Sequence, residues 1–283
     1  MIFVGKKNST SFFLLISLIL GLALYTALFS SCVYEDLSKC SRMFMLQPRY
    51  LLHTGEGDRF GEAVHHIDVY AFDSLGIYRK MFRDKGAHLK NGYRMPIDLP
   101  EGKWTFLCLG GKVGDYEIGI FKTGIPQQFS PAVSPGITTL SDFRVKAYFE
   151  QKENLEYSFG ELFFGRLDSV EITADNGGTG VVDLMKNTNK IEVRVKGIAD
   201  GSSARITSDN GRFNSENVTP ADAGTIIYVP YYSASQADDT RVFQFDVLRL
   251  YTDGHLFLKL LNPDGTDVIP GFTKDLINAI MSS

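Results

Sequence analysis

Cys32 is the residue of this chain whose surroundings most directly specify a chemistry. It follows the small residues Ser30 and Ser31 and an apolar run of 18 residues from Phe12 to Phe29, which Lys6 and Lys7 precede. A positive start, an apolar middle and small residues before a cut make a secretory signal peptide. A cysteine placed at the cut is the pattern of a bacterial lipoprotein signal. Cleavage between Ser31 and Cys32 would make the cysteine the first mature residue, and lipid on its sulfur would tether everything downstream. Residues 1–31 are then an address, and residues 32–45 a lipid-anchored stalk. Phe29 stands three positions before the cysteine, where such signals usually carry leucine, and Leu28 is one step further out. The rival reading is an uncleaved anchor helix. Eighteen apolar residues lie at the lower edge of bilayer-spanning length, and Ser17, Gly21, Tyr25 and Thr26 dilute them. Both readings place the folded part outside the cytoplasm.

Two further thiols lie outside the signal, Cys40 and Cys108. In an oxidising compartment two thiols can form a lasting disulfide. A Cys40–Cys108 bridge would pin the stalk to the body and contribute about 4 kcal/mol in the chain-entropy model. Cys108 equally fits as a small buried apolar residue within Phe106-Leu107-Cys108-Leu109. Both readings stand open on the sequence.

The other candidates for chemistry are weaker than their bland alternatives. There is no Gly-x-Ser-x-Gly elbow, no His-Glu-x-x-His and no Cys-x-x-Cys. Gly55-Glu56-Gly57-Asp58-Arg59-Phe60-Gly61 misses the dinucleotide fingerprint in spacing and lacks a preceding strand, so it reads as a loop. His65 and His66 are adjacent, and neighbours on a strand point to opposite faces, so they cannot share one ion. Asp253-Gly254 and Asp264-Gly265-Thr266-Asp267 lack the spacing and distal Glu of a calcium loop and read as hairpin turns. Trp104, Tyr70 and Phe72 could form a sugar-stacking platform, but aromatics within apolar strands are more often core. No catalytic residue, no metal ligand and no cofactor is expected.

Composition narrows the partners. The chain has 29 Lys and Arg against 33 Asp and Glu, a net of −4; without Lys6 and Lys7 the count is 27 against 33, a net of −6. A mildly acidic protein without basic clusters is a poor candidate for nucleic acid.

The elements that must position any site repeat with period two. Ile67, Val69 and Ala71 share one face of a strand, Asp73-Ser74-Leu75-Gly76 turns, and Ile77 to Phe82 forms a second strand. Pro100-Glu101-Gly102 leads into Lys103 to Leu109, apolar on both faces at its end and therefore central. Residues 139–150 read as a short helix or an irregular crossover. Asp175-Asn176-Gly177-Gly178-Thr179-Gly180 is the best linker in the chain. Beyond it Ile191, Val193 and Val195 face inward on one strand, Arg241 to Tyr251 and Leu256 to Leu261 form a hairpin, and Lys274 to Ile280 reads as helix. Many short strands without repeating βαβ units argue for antiparallel β-sandwiches, divided into residues 46–178 and 179–283.

Several separated pieces, in this order, resemble one family. They are Cys32-Val33-Tyr34-Glu35-Asp36-Leu37-Ser38-Lys39-Cys40, then Ile67 to Gly76, then Leu99-Pro100-Glu101-Gly102-Lys103-Trp104 running into Gly110-Gly111. Leu162-Phe163-Phe164-Gly165 and Asn187-Thr188-Asn189-Lys190-Ile191-Glu192-Val193 complete them. Together they are similar to the fimbrillin-associated anchor lipoproteins of Bacteroidetes-type minor fimbriae. The resemblance implies an all-β protein of two tandem transthyretin-like sandwich domains. It also implies export to the outer membrane, facing outward, with Glu35 and Asp36 as an acidic export tag. The implied function is to attach the base of a fimbria to the cell and to limit its length, with fimbrial subunits as partners through strand exchange. Members of the family usually continue beyond a segment like 272–280 into further strands. Either the second domain is shortened or the gene product is truncated, and the expectation is an incomplete second domain with an open groove or edge. The alternative is a surface lipoprotein that binds glycan or another ligand on a β-sandwich.

Overall fold

A computed structural model describes residues 43–51, 55, 57–122, 128–147, 154–155, 158–173, 177–236, 238–271, 274–277 and 280. The alternation of apolar and polar residues becomes nineteen strands in four sheets among these residues. The largest sheet has the order β3 (Tyr78–Lys85), β2 (His66–Phe72), β5 (Gly102–Gly111), β10 (Leu162–Ile172), β11 (Thr179–Lys186), β1 (Phe44–Tyr50), β4 (Met95–Ile97). A four-stranded sheet runs β14 (Arg212–Asn214), β8 (Phe143–Ala147), β6 (Tyr116–Lys122), β7 (Gln128–Ser130). A five-stranded sheet runs β19 (Lys274–Asp275), β18 (Leu256–Leu261), β13 (Ser203–Ser208), β15 (Ile226–Tyr228), β9 (Asn154–Leu155). The smallest has the order β12 (Thr188–Lys196), β17 (Thr240–Leu248), β16 (Tyr232–Ser235).

The seven-stranded sheet encloses a core of its own. Ile67, Val69 and Ala71 of β2 point into it with Phe106 and Cys108 of β5, Val182 and Leu184 of β11, and Phe44 and Leu46 of β1. Strands at opposite ends of the sheet therefore meet face to face. The rings of Phe44 and Phe106 stack with centroids 5.8 Å apart and planes 9° apart. Phe106 is fully buried, and truncating a phenylalanine so placed costs about 3–5 kcal/mol. The short helix α1 (Phe60–Ala63) closes the same core with Phe60. β5 is central, as its two-sided apolar character predicts, between β2 and β10.

The opposite face of β2, β5 and β10 packs on the four-stranded sheet. Phe143 of β8 meets Tyr70 edge-on at 5.2 Å and Phe72 at 5.9 Å. This second core runs on through Phe213 into Ile206, Phe243, Phe245 and Leu256 of the two C-terminal sheets.

Four sequence expectations meet a different local structure. The strand directly after the Gly-rich segment, β11, pairs with β10 and β1, so the chain leaves the first sheet at Asn187 rather than near residue 178. Its pairing with β1 is parallel, as is that of β15 with β9, whereas the expected sheets were antiparallel. Such a pair needs a long crossover, and for β1 and β11 residues 51–178 supply it. Within 139–150, Phe143–Ala147 is strand because Phe143, Val145 and Ala147 alternate inward. Lys274 and Asp275 pair with β18 as strand, and among the described residues beyond them the Ile280 N–H donates to the Leu276 carbonyl at 2.9 Å.

Candidate functional site

β12 is nine residues long and regular in register against β17 from Thr188 to Lys196. Among the described residues its other edge has no partner. Among the described residues the other edge strands are shorter. β4 has three residues with Pro96 at its centre, and β16 has four. β3 has eight, of which the first is covered: the Tyr78 N–H is taken by the Thr138 carbonyl and the Tyr78 carbonyl by the Gly136 N–H. A long, unbroken edge without proline or bulge is the kind that natural sheets usually block.

The two faces of β12 differ. Ile191, Val193 and Val195 turn inward against the core around Phe243 and Phe245, yet all three remain half-buried. Leu260 and Leu276, from the sheet opposite, are likewise half-buried against that core. The apolar seam between the sheets is thus incompletely covered along β12. The outward row is charged and tied down. Arg194 donates to Glu192 at 2.6 Å, Gln244 donates to Glu192 at 2.9 Å, and Lys196 lies 2.9 Å from Asp238. The hydrogen bonds from Gln244 and Arg194 hold the Glu192 carboxyl below its ordinary range. Lys190 sits over the Tyr231 ring at 6.0 Å. This arrangement sets backbone groups, an apolar row and fixed charges side by side along one edge.

The residues singled out from sequence fall as follows. Ser31, Cys32 and Cys40, with Glu35 and Asp36, lie outside the described residues. Cys108 is a free thiol at zero exposure between the partners Val69 and Gly165, and burial pushes its pKa up. His65 is exposed, while the His66 Nε2 lies 2.8 Å from Asp68 on the other face, so the two do not converge. No group of three or more His, Cys, Asp or Glu among the described residues could hold a metal. Asp264 closes its turn by accepting from the Thr266 N–H at 2.9 Å and the Thr266 hydroxyl at 2.6 Å. Trp104, Tyr70 and Phe72 are buried, and the Trp104 indole donates to the Pro100 carbonyl at 3.1 Å. They form core, not a platform. The expected inward row on β12 is where the period placed it. Its incomplete burial had no signal in the strand itself, because it depends on how far the opposite sheet reaches.

Comparison with known proteins identifies relatives with this architecture. The model of the fimbrillin-A associated anchor proteins Mfa1 and Mfa2 matches residues 37–283. The chain is 24% identical over 284 residues to the minor fimbrium anchoring subunit Mfa2 of Porphyromonas gingivalis, covering 95% of this chain and 82% of that one. The solved fimbrial anchor protein Mfa2 of P. gingivalis superposes with a TM-score of 0.69 at 20% identity, over 86% of this chain and 84% of that one. A Bacteroides thetaiotaomicron protein, described as a putative polysaccharide binding protein, gives a TM-score of 0.71 at 22% identity, over 85% and 82%. These structures share the β-sandwich fold.

Proposed function

This chain belongs to the family of fimbrillin-A associated anchor proteins, and from that membership we propose that it is a non-enzymatic outer-membrane lipoprotein that holds fimbriae to the cell surface. In this reading Cys32 carries the lipid, the stalk ends at residue 43 rather than 45 because Phe44 and Met45 already belong to β1, and the β-sandwiches face the cell exterior. Fimbrial subunits are the partners, and one of them adds a strand along β12.

The observation that supports strand docking is the half-buried row Ile191, Val193 and Val195 beside an unpaired nine-residue edge. An added strand would take up the free backbone groups and cover the row with alternate apolar side chains, giving affinity and register together. The reading of a glycan-binding sandwich built on Trp104, Tyr70 and Phe72 loses its basis, since all three rings are buried.

The test is photocrosslinking from β12 in cells that make the fimbriae. A photoreactive residue at Arg194, on the outward row, is expected to trap a fimbrial subunit. Val193→Lys, which sets a charge in the seam, is expected to abolish the trapping while the purified variant still unfolds cooperatively. Trapping that persists in Val193→Lys, or that occurs from β3 and never from β12, would refute the docking edge.

A further inference from the structure

A cleft of about 740 Å³ opens at one end of the seven-stranded sheet, and no residue of β12 lines it. Three pieces of chain meet there: the start of β2 with the end of β3, the turn after β5, and the segment entering β10. Its size falls in the range of small-molecule sites, about 300–1,000 Å³. Its floor is apolar, with Ala63 and the buried Val113.

The walls are shaped by glycines whose places admit no side chain. A Cβ on Gly160 would lie 2.2 Å from the Lys112 Cγ, and Gly111, at φ +91°, would press a Cβ into the Glu161 carbonyl oxygen. The backbone is held in that form. The Gly160 N–H donates to Asp115 at 2.7 Å, and the Lys112 N–H donates to the Glu161 carbonyl at 2.9 Å.

The polar groups of the cleft are unequally committed. Asp115 is occupied by Gly160, and the Glu161 carboxylate is 2.5 Å from the Lys186 ammonium. His66 is turned to Asp68. Lys85 and Lys112 are exposed and form no ion pair among the described residues, and the exposed His65 lines the same cleft. Asp115 keeps its charge, so among the described residues the lining holds two lysines without an ion pair against one such carboxylate. From this inequality we propose that the cleft binds an anionic organic ligand, bearing carboxylate or sulfate and about the size of two sugar rings, with its acidic group between Lys85 and Lys112. The site is independent of the β12 edge.

The probes are a uronic-acid disaccharide, a sulfated disaccharide, free glucuronate and the neutral disaccharide cellobiose. Titrations of the mature protein are followed by calorimetry and by NMR shifts of the Gly86, Gly111 and Gly160 amides. Saturable binding of an acidic disaccharide at those amides, weakened about tenfold in Lys85→Ala/Lys112→Ala, is the expected result. Glucuronate binding as tightly as the disaccharides would support the anion contacts and identify a small organic acid instead of an acidic saccharide. The double variant replaces exposed side chains, and an unchanged melting temperature separates lost binding from lost folding. Binding of cellobiose equal to that of the acidic probes, wild-type affinity in the double variant, or no saturable binding of any acidic probe would each overturn the proposal.

Discussion

The side-chain amides of Asn187 and Asn217 exchange two hydrogen bonds, at 2.5 and 3.1 Å, with both residues buried. The pair sits where the chain passes from β11 to β12. The backbone of Asn187 serves both sheets there, its N–H donating to the Leu162 carbonyl at 2.7 Å and its carbonyl accepting from Arg249 at 2.9 Å. Asn217 holds a left-handed backbone at φ +59°, which asparagine tolerates well. Asn187→Ala leaves a buried amide without its partner and should cost about 2 kcal/mol in denaturant unfolding. Asn217→Gly keeps the backbone conformation and loses the same pair. The double variant should therefore be less destabilised than the sum of the two; strict additivity would show that the amides do not couple.

A second prediction concerns Asp68, which has zero exposure in β2. The Arg83 guanidinium, on β3, grips it with two hydrogen bonds of 2.6 Å. Removing the arginine leaves a fully buried carboxylate with the half-buried His66 ring, 2.8 Å away, as its remaining side-chain partner. With Arg83 itself half exposed, Arg83→Ala should cost about 2 kcal/mol. Arg83→Lys should recover only part of that, because an ammonium cannot make the fork. Chemical denaturation checks both, and a wild-type midpoint for Arg83→Ala would contradict the assignment.

Acid should loosen the β2–β3 hairpin through Asp73. Partial burial opposes its ionisation, but hydrogen bonds from the Ile77 N–H, from Arg79 and from the Leu75 N–H outweigh it and hold the carboxyl below its ordinary range. A depressed folded-state pKa stabilises fully above the unfolded value, about 3.9, and that contribution fades as the pH falls through the folded value. The stability difference between wild type and Asp73→Asn should therefore be present at pH 7 and shrink below about pH 4. A difference that is constant down to pH 2 would refute it.

Cys108 should behave as core. Burial raises its pKa, and no path to solvent exists at zero exposure. A thiol reagent should label it only after unfolding, without prior reduction. Recovery of a linked Cys40–Cys108 peptide from unreduced protein would show the bridge instead.

Much of the fold was legible where side chains alternate strongly. Ile67, Val69 and Ala71, and Ile191, Val193 and Val195, face the way their period requires. β1 was missed because Gln47, Pro48 and Arg49 dilute it, although Phe44 and Leu46 carry its buried face. β13 was missed because its inward residues include Ala204 and Ser208, too small or polar to mark a period. The Gly-rich segment before β11 reads as a linker, but Gly178 accepts from the Met45 N–H and the chain simply continues the same sheet. The cleft could not be read at all. Lys85, Lys112 and Gly160 are distant in sequence, and only the tertiary fold makes them neighbours.

Anchoring is tested most directly by electron microscopy of fimbriae on cells in which this gene has been deleted and then restored. The account predicts that deletion gives longer fimbriae and fimbriae shed into the medium, that the wild-type gene reverses both, and that Cys32→Ala does not. Fimbriae of unchanged length and attachment in the deletion strain would contradict it.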